Sequence, residues 1–414
     1  MIDLNKTRRT VLAKKEKEAD NVPYLSTGVT LLDICVGGGE TAGWGMGYKA
    51  GSIVRDWGDS SSSKSFKICQ MIAANKRRFK DKFKYCYLDI ERGNNINTQK
   101  LYGFDLHAES WKPPIDVRTA EDWYYVVVKF LESMKPDEVG AVILDSLDAL
   151  SDSATEERKE ERIKLAEKGK ELTTGSYSMS KQKFLSDEMF KGLQADCDKK
   201  RVLLYIISQA RDNIGVTQGP KLRVNGGNAI KFAESVRIQS KALAKDEKRG
   251  VPVSVQVYVR AEKMRHDKPF RTCQFPVVFD YGLDNIGANV DYLYDLRSDV
   301  GNLLGRADAV CWGSGEPLTD ESLEAFLEEN NLFDDCVSAL KKRYSIKNAK
   351  KWVEGQPELF EKFEARFGKT MTRDELIAYI EENGLEKELE QRVIAKWDAF
   401  EASIASRRKQ QFSD

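Results

Sequence analysis

The residue types best suited to holding phosphate sit together in Gly51–Ser65, which reads Gly-Ser-Ile-Val-Arg-Asp-Trp-Gly-Asp-Ser-Ser-Ser-Ser-Lys-Ser. Ile53 and Val54 belong to a short apolar run, and Gly58-Asp59-Ser60-Ser61-Ser62-Ser63-Lys64-Ser65 then turns the chain. Phe66–Asn75 follows, with Phe66, Cys69, Ile72 and Ala73 at the three-to-four spacing of a helix. A strand, a tight loop of small residues and a helix beginning Lys-Ser is the layout of a P-loop. In that layout backbone N–H groups and the helix N-terminus receive phosphate oxygens, Lys64 reaches the terminal phosphates and Ser65 holds Mg²⁺. The common spacing is Gly-x4-Gly-Lys-Ser/Thr, and Ser63 stands at the second glycine, where a residue without a Cβ takes unusual dihedrals and approaches a ligand closely. Taken alone, the motif leaves both a phosphate cradle and a plain serine-rich loop open.

Other polar groups follow apolar runs in the same way. Lys84–Asp89 (KYCYLD) reads as a buried strand and is followed by Glu91; Val139–Leu144 (VGAVIL) runs straight into Asp145; Val202–Ile207 (VLLYII) ends at Ser208-Gln209. In open parallel sheets ligands bind beyond the carboxyl ends of the strands. Asp145 thus occupies the Walker B position, where a carboxylate completes Mg²⁺ coordination. A single acid at a strand end is an ordinary loop cap; four such ends beside a P-loop point to a site.

The elements that must position these groups alternate at roughly thirty-residue steps, a pattern that predicts an α/β fold with a mostly parallel sheet flanked by helices. A helix is expected over Ala120–Met134, and later strands over Ser235–Ser240 and Val251–Val259, the second with valine at every odd position and therefore one buried and one exposed face. Ser151–Lys170 is a mixed-charge run expected to form a solvated surface helix. At 414 residues the chain exceeds one ordinary domain. Residues 1–22 contain a polar, helix-prone stretch that cannot fold stably alone, residues 23–286 form the α/β core, and residues 287–414 are Glu/Lys-rich and helical. Thr372 with Glu375 reads as a capping box in that last part. Lys+Arg and Asp+Glu both number 66, so any polyanion-binding surface must be local. Seven cysteines without a Cys-x-x-Cys pair read as buried thiols of a reducing, cytoplasmic compartment, and two histidines, His107 and His266, disfavour His-based metal or triad chemistry. No segment approaches the roughly eighteen apolar residues of a membrane span.

This ordered set of motifs resembles the RecA family of recombination ATPases. Leu25–Gly39 is similar to the family's segment before the P-loop, Tyr87-Leu-Asp-Ile-Glu91 to its strand with the catalytic glutamate, and Val142–Leu150 to its Walker B segment. Ser208–Val216 and Gly226–Ile238 resemble the two sides of its second DNA-binding loop, and Lys263-Met-Arg265 looks like the Lys-x-Lys that reaches a neighbouring subunit's nucleotide. Similarity runs over about residues 24–285 and returns more weakly at 371–398. The resemblance implies a RecA-like core with an N-terminal docking helix and a small α-rich C-terminal domain, using ATP and Mg²⁺. Lys64 would offset phosphate charge, Ser65 and Asp145 would hold the metal, Glu91 would activate water, and Gln209 would sense the γ-phosphate. Lys263 and Arg265 would act in trans like arginine fingers.

For DNA the resemblance implies contacts from Met179, Lys181 and Lys183 in a first loop. The second loop would contribute Arg211, Asn213, Ile214, Lys221, Arg223, Gly226, Gly227 and Asn228. Met179 and Ile214 would wedge between bases and the cations would meet phosphates. The expected partners are single-stranded DNA, homologous duplex and further copies of the chain in a helical filament. Strand exchange at the nucleoid or a replication site would be the activity. Two other readings stay open: a DNA-coating filament protein that binds ATP with little hydrolysis, suggested by Ser63, and a hexameric helicase-type ATPase. Ser63, Ser208 for the bacterial Asn, Arg265 for Lys, and Thr98 where an adenine-stacking aromatic is usual point to a divergent member, with a bacteriophage origin as the expectation.

Overall fold

The computed structural model describes residues 22–38, 45–59, 62–151, 189–212, 222–224, 227–298, 301, 310–312, 320–340 and 346–405. The chain divides into two compact units, residues 1–284 and 285–414.

In the first unit, β1 (Tyr24–Leu25) and β2 (Tyr48–Lys49) form a small antiparallel pair. The main sheet contains β3 (Ile53–Gly58), β4 (Phe83–Asp89), β5 (Val139–Asp145), β6 (Val202–Asp212), β8 (Val236–Lys248), β9 (Val251–Met264), β10 (Thr272–Val278) and β11 (Gly282–Leu283), with β7 (Leu222–Val224) paired to the far end of β6. Its order is β11-β10-β9-β8-β3-β6-β5-β4. Strands β8, β3, β6, β5 and β4 are parallel, which puts their carboxyl ends on one edge, and β9 to β11 continue the sheet antiparallel. The mostly parallel α/β architecture read from the sequence is therefore present.

The helices of this unit are α1 (Thr30–Gly37), α2 (Lys64–Phe79), α3 (Thr98–Tyr102), α4 (Ala120–Ser133), α5 (Phe190–Lys200) and α6 (Gly227–Ala233). Helix α4 starts at a capping box in which Thr119 Oγ1 accepts from Asp122 N while the Asp122 carboxylate accepts from Thr119 N, satisfying two otherwise orphaned donors. Its Trp123, Val127 and Phe130 bury against Cys86, Leu88, Val142, Leu144, Leu204 and Ile206, alternate residues of β4, β5 and β6, together with Leu193 and Cys197 of α5. Burial of this apolar face supplies the main driving force for the layer. Helix α2 packs on β4 and β5, and α1 on β9 and β10.

Three expectations need correction. The buried face of α2 is made by Lys64, Lys67, Ile68, Met71, Ile72 and Asn75 in addition to Cys69 and Ala73, while Phe66 stays only half-buried. Strand β9 has no cleanly exposed face, since Ser254 and Gln256 are buried between the valines and Ser254 Oγ donates to Asp246 Oδ2 at 2.5 Å. Strand β8 runs to Lys248, well beyond Ser240, because it pairs with β9 as a long hairpin. The charge run 152–170 lies outside the described residues, as do residues 1–21.

The second unit holds α7 (Asn285–Leu293), α8 (Asp320–Glu329), α9 (Phe333–Ala339), α10 (Ile346–Glu354), α11 (Pro357–Phe367), α12 (Arg373–Asn383) and α13 (Glu386–Ser403). A short antiparallel pair, β12 (Val310–Trp312) with β13 (Lys369–Met371), is the part that its composition does not announce. Phe326, Phe363 and Phe367 centre one core, and the capping box of Thr372 and Glu375 forms at the start of α12. The six described cysteine side chains are free and buried. Among the described residues no helix is long and apolar enough to cross a membrane.

Candidate nucleotide site

The carboxyl edge of the parallel strands carries an open pocket of about 490 Å³, lined among others by Ser63, Lys64, Ser65, Glu91, Asn94, Asp145 and Gln209. The loop that leads to its Ser63–Phe66 side starts at Gly58, the last residue of β3. A Cβ at Gly58 would lie 2.0 Å from Ser240 O on the neighbouring strand, so only glycine fits. Ser62 Oγ then donates to Asp59 O at 2.7 Å, and Ser63 takes φ 57°, ψ 31°. This is the left-handed conformation that glycine adopts freely and other residues enter at a cost of about 1–2 kcal/mol. The serine thus reproduces the backbone shape that the usual glycine would provide.

Lys64 opens α2. Its Nζ donates to Gly58 O at 3.1 Å, Asp59 O at 2.5 Å and Ser62 Oγ at 3.2 Å. These acceptors are neutral, and burial holds the Lys64 pKa below the ordinary lysine value. The next residue, Ser65, donates to Asp145 Oδ2 at 3.0 Å, and Tyr87 OH donates to the same oxygen at 2.8 Å. Burial raises the Asp145 pKa despite those two donors. A hydroxyl and a carboxylate meeting at a pocket wall are the hard oxygen donors that Mg²⁺ shares with phosphates. Ser65 and Asp145 therefore fit that ion. No cluster of three or more His, Cys, Asp or Glu suited to a metal occurs among the described residues, so an ion here would draw its remaining ligands from phosphate and water.

Glu91 follows β4. Its Oε1 accepts from Gln209 Nε2 at 2.9 Å and from Ser146 Oγ. Gln209 is fixed in turn by its backbone N–H, which donates to Asp148 Oδ2 at 2.8 Å. Asp89 proves to be a loop cap, since its carboxylate accepts from Gly93 N at 3.2 Å and Asn94 N at 3.0 Å. Beyond Gln209, β6 continues into an antiparallel pairing with β7 in which Arg211 stands opposite Arg223. The two described sides of the expected second DNA loop are thus paired strands, and residues 213–221 between them lie outside the described residues. Asn213, Ile214, Lys221 and Gly226 lie outside the described residues, as do Met179, Lys181, Lys183, Ser60 and Ser61. Gly227 and Asn228 begin α6.

Lys263 and Arg265 do not join this pocket. Met264 pairs with Val236, which pairs with Val54, and these positions mark the amino edge of the parallel strands, opposite Gly58. There Lys263 Nζ donates to Lys231 O and Arg265 to Phe232 O, so both cations sit at the carboxyl end of α6, a favoured place for positive charge.

Several site residues escaped the sequence reading. Arg55 and Asp56 are fully buried within β3. Asp56 Oδ2 meets Lys67 Nζ at 2.6 Å and accepts from Tyr205 OH at 2.8 Å, while its Oδ1 accepts from Ser240 Oγ at 2.7 Å. Arg55 Nε donates to Ser208 Oγ at 3.2 Å, and burial lowers the Arg55 pKa to about 10. The available signal was a pair of charges inside an apolar strand. Thr98, by contrast, is buried and accepts from Leu106 N at 3.0 Å; the apolar wall of the pocket comes from Phe66, Ile96 and Phe279.

A mainly parallel α/β sheet with a helix-opening lysine, a hydroxyl–carboxylate pair and an amide-held glutamate at its carboxyl edge has the build of a nucleotide-handling domain. The family model for the RecA N-terminal domain matches residues 1–284, and the chain belongs to the RecA family, whose members are ATP- and DNA-binding proteins of recombination and repair. It is 25% identical over 350 residues to Protein RecA of Campylobacter jejuni subsp. doylei, covering 83% of this chain and 92% of that one. To Protein RecA of Fusobacterium nucleatum it is 24% identical over 277 residues, or 67% of this chain and 65% of the relative. The crystal structure of the RadB recombinase aligns over 63% of this chain and 98% of its own, at 16% identity and a TM-score of 0.38.

Proposed function

We propose that the protein is an ATP-dependent recombinase that polymerises on single-stranded DNA and pairs it with homologous duplex. In this reading the P-loop from Gly58 to Ser65 holds the phosphates of ATP, with Lys64 turning from its loop acceptors to the anion. Ser65 and Asp145 would hold Mg²⁺, which when bound would supply positive charge against the phosphates. Glu91, held in place by Ser146 and Gln209, removes a proton from the attacking water. The single observation that carries the proposal is the placement of Gln209. Its amide touches Glu91 in the pocket, and from the very next residue, Ala210, the same strand pairs with β7 in the hairpin that brackets the DNA loop. A γ-phosphate that drew the amide away from Glu91 would therefore act on the base of that hairpin, an ordering switch of the kind nucleotide-binding proteins use.

Arg211, Lys221 and Arg223 in that hairpin and its tip, with Met179, Lys181 and Lys183 in the first loop, grip the strand through its phosphates. Each neutralised phosphate contributes about −0.7 to the log–log salt slope on single strands. Residues 1–22 dock on an adjacent copy, and Lys263 and Arg265 leave the end of α6 to reach that copy's nucleotide. The left-handed Ser63 keeps the loop shape and favours turnover over a passive DNA coat. The test is ATP hydrolysis with and without single-stranded DNA, combined with negative-stain imaging of the same mixtures. DNA-stimulated turnover with helical filaments is expected; coated DNA without turnover, or closed rings, would overturn the reading.

A further inference from the structure

The β8–β9 hairpin contributes Ala242, Lys245 and Val255 to the lining of the same pocket as Ser63, Lys64 and Ser65. Lys245 reaches that lining because of a β-bulge. Ala242 pairs with Val257 and Lys245 with Val255, so Leu243 and Ala244 together stand opposite the single residue Gln256. In a regular ladder Ala244 would face Val255, and Lys245 would lie on the other side of the sheet, because a one-residue shift exchanges the two faces. The extra residue re-aims the side chain and puts a cation where the regular strand would have put a methyl group.

Lys245 is exposed, and in this it differs from the buried and half-buried lysines that the sheet ties to carboxylates. Lys67 is matched by Asp56 and Lys84 by Glu138, whereas among the described residues no carboxylate pairs with Lys245. The charged groups lining the pocket are Lys64, Lys245, Glu91 and Asp145. Lys64 and Lys245 together balance the two carboxylates of the lining before any Mg²⁺ is counted.

We propose that Lys245 is a second cis-acting cation, besides Lys64, for the phosphate chain of a bound nucleoside triphosphate. The proposal rests on the nucleotide reading above and adds to it a residue from the β8–β9 hairpin. As a flexible point charge Lys245 would bind through charge more than fixed geometry, so its effect should fall with added salt.

The test is titration of the full-length chain with a fluorescent ATP analogue and Mg²⁺ at low and high salt. Wild type would be compared with Lys245→Met, Lys245→Arg and Lys64→Ala. Lys245→Met is expected to weaken binding about tenfold at low salt, as loss of one charge-assisted contact does, with the gap narrowing at high salt and Lys245→Arg recovering most of it. An unchanged affinity in Lys245→Met beside a large loss in Lys64→Ala would overturn the role of Lys245 and leave the nucleotide reading standing. Absence of binding by the wild type would overturn both.

Discussion

Two buried lysines one turn apart on α2 belong to different regions of the molecule, the loop facing the pocket and the charged layer inside the sheet. Lys67 meets the carboxylate of Asp56, which is also held by Tyr205 and Ser240, so β3, β6, β8 and α2 converge on one ion pair. Among the described residues Lys64 donates to two carbonyls and a hydroxyl and to no carboxylate. One lysine is complete within the fold and the other is left for an external anion. Burial by itself therefore does not mark a functional lysine; the charge of its partner does.

The comparison breaks first at Lys67. Lys67→Met leaves the buried Asp56 carboxylate uncompensated and is expected to cost about 3–5 kcal/mol, read as a lower urea midpoint, whereas Lys64→Met should leave that midpoint nearly unmoved and abolish nucleotide binding. If both variants lost stability equally, the distinction between the two regions would fail. Next in size is Glu91→Gln, which keeps the contact with Gln209 within reach but removes the base. Turnover should fall by about 100-fold or more with ATP affinity retained, measured by steady-state hydrolysis and by binding.

Smaller effects sharpen the picture. Ser63→Gly removes the left-handed penalty of about 1–2 kcal/mol but adds unfolded-state freedom of about 0.4–1 kcal/mol. A net gain of about 0.5–1 kcal/mol in unfolding free energy is expected, and a loss would mean that the serine side chain supports the loop. The smallest effect lies in pH. Because burial lowers the Lys64 pKa, the unfolded chain holds that proton more tightly than the folded one. Ligand-free stability from this group therefore rises as pH climbs from the lowered pKa toward the ordinary lysine value. Lys64→Met should lack that rise when urea midpoints are compared across alkaline pH.

The strands and the carboxyl-edge groups were legible because each strand is an apolar run that stops at a polar residue. VGAVIL ending at Asp145 and VLLYII ending at Gln209 show period and punctuation together. The interior charges were not legible, because Asp56 and Lys67 lie eleven positions apart and nothing local says that they meet. Lys245 was hidden for a related reason, since a bulge changes the face of a residue without changing its composition. Thr98, placed by resemblance where an adenine-stacking aromatic is usual, is buried in the turn that its hydroxyl closes with Leu106 N, and that turn was not legible in the sequence.

The link between pocket and hairpin is tested most directly by fluorescence anisotropy of a labelled single strand, with wild type and Lys64→Ala, in the presence and absence of ATP and Mg²⁺. Expected is a nucleotide-dependent tightening of about tenfold or more in the wild type, in the range of ordinary coupling between sites, and none in Lys64→Ala. Equal affinity for the strand in all four mixtures would contradict it.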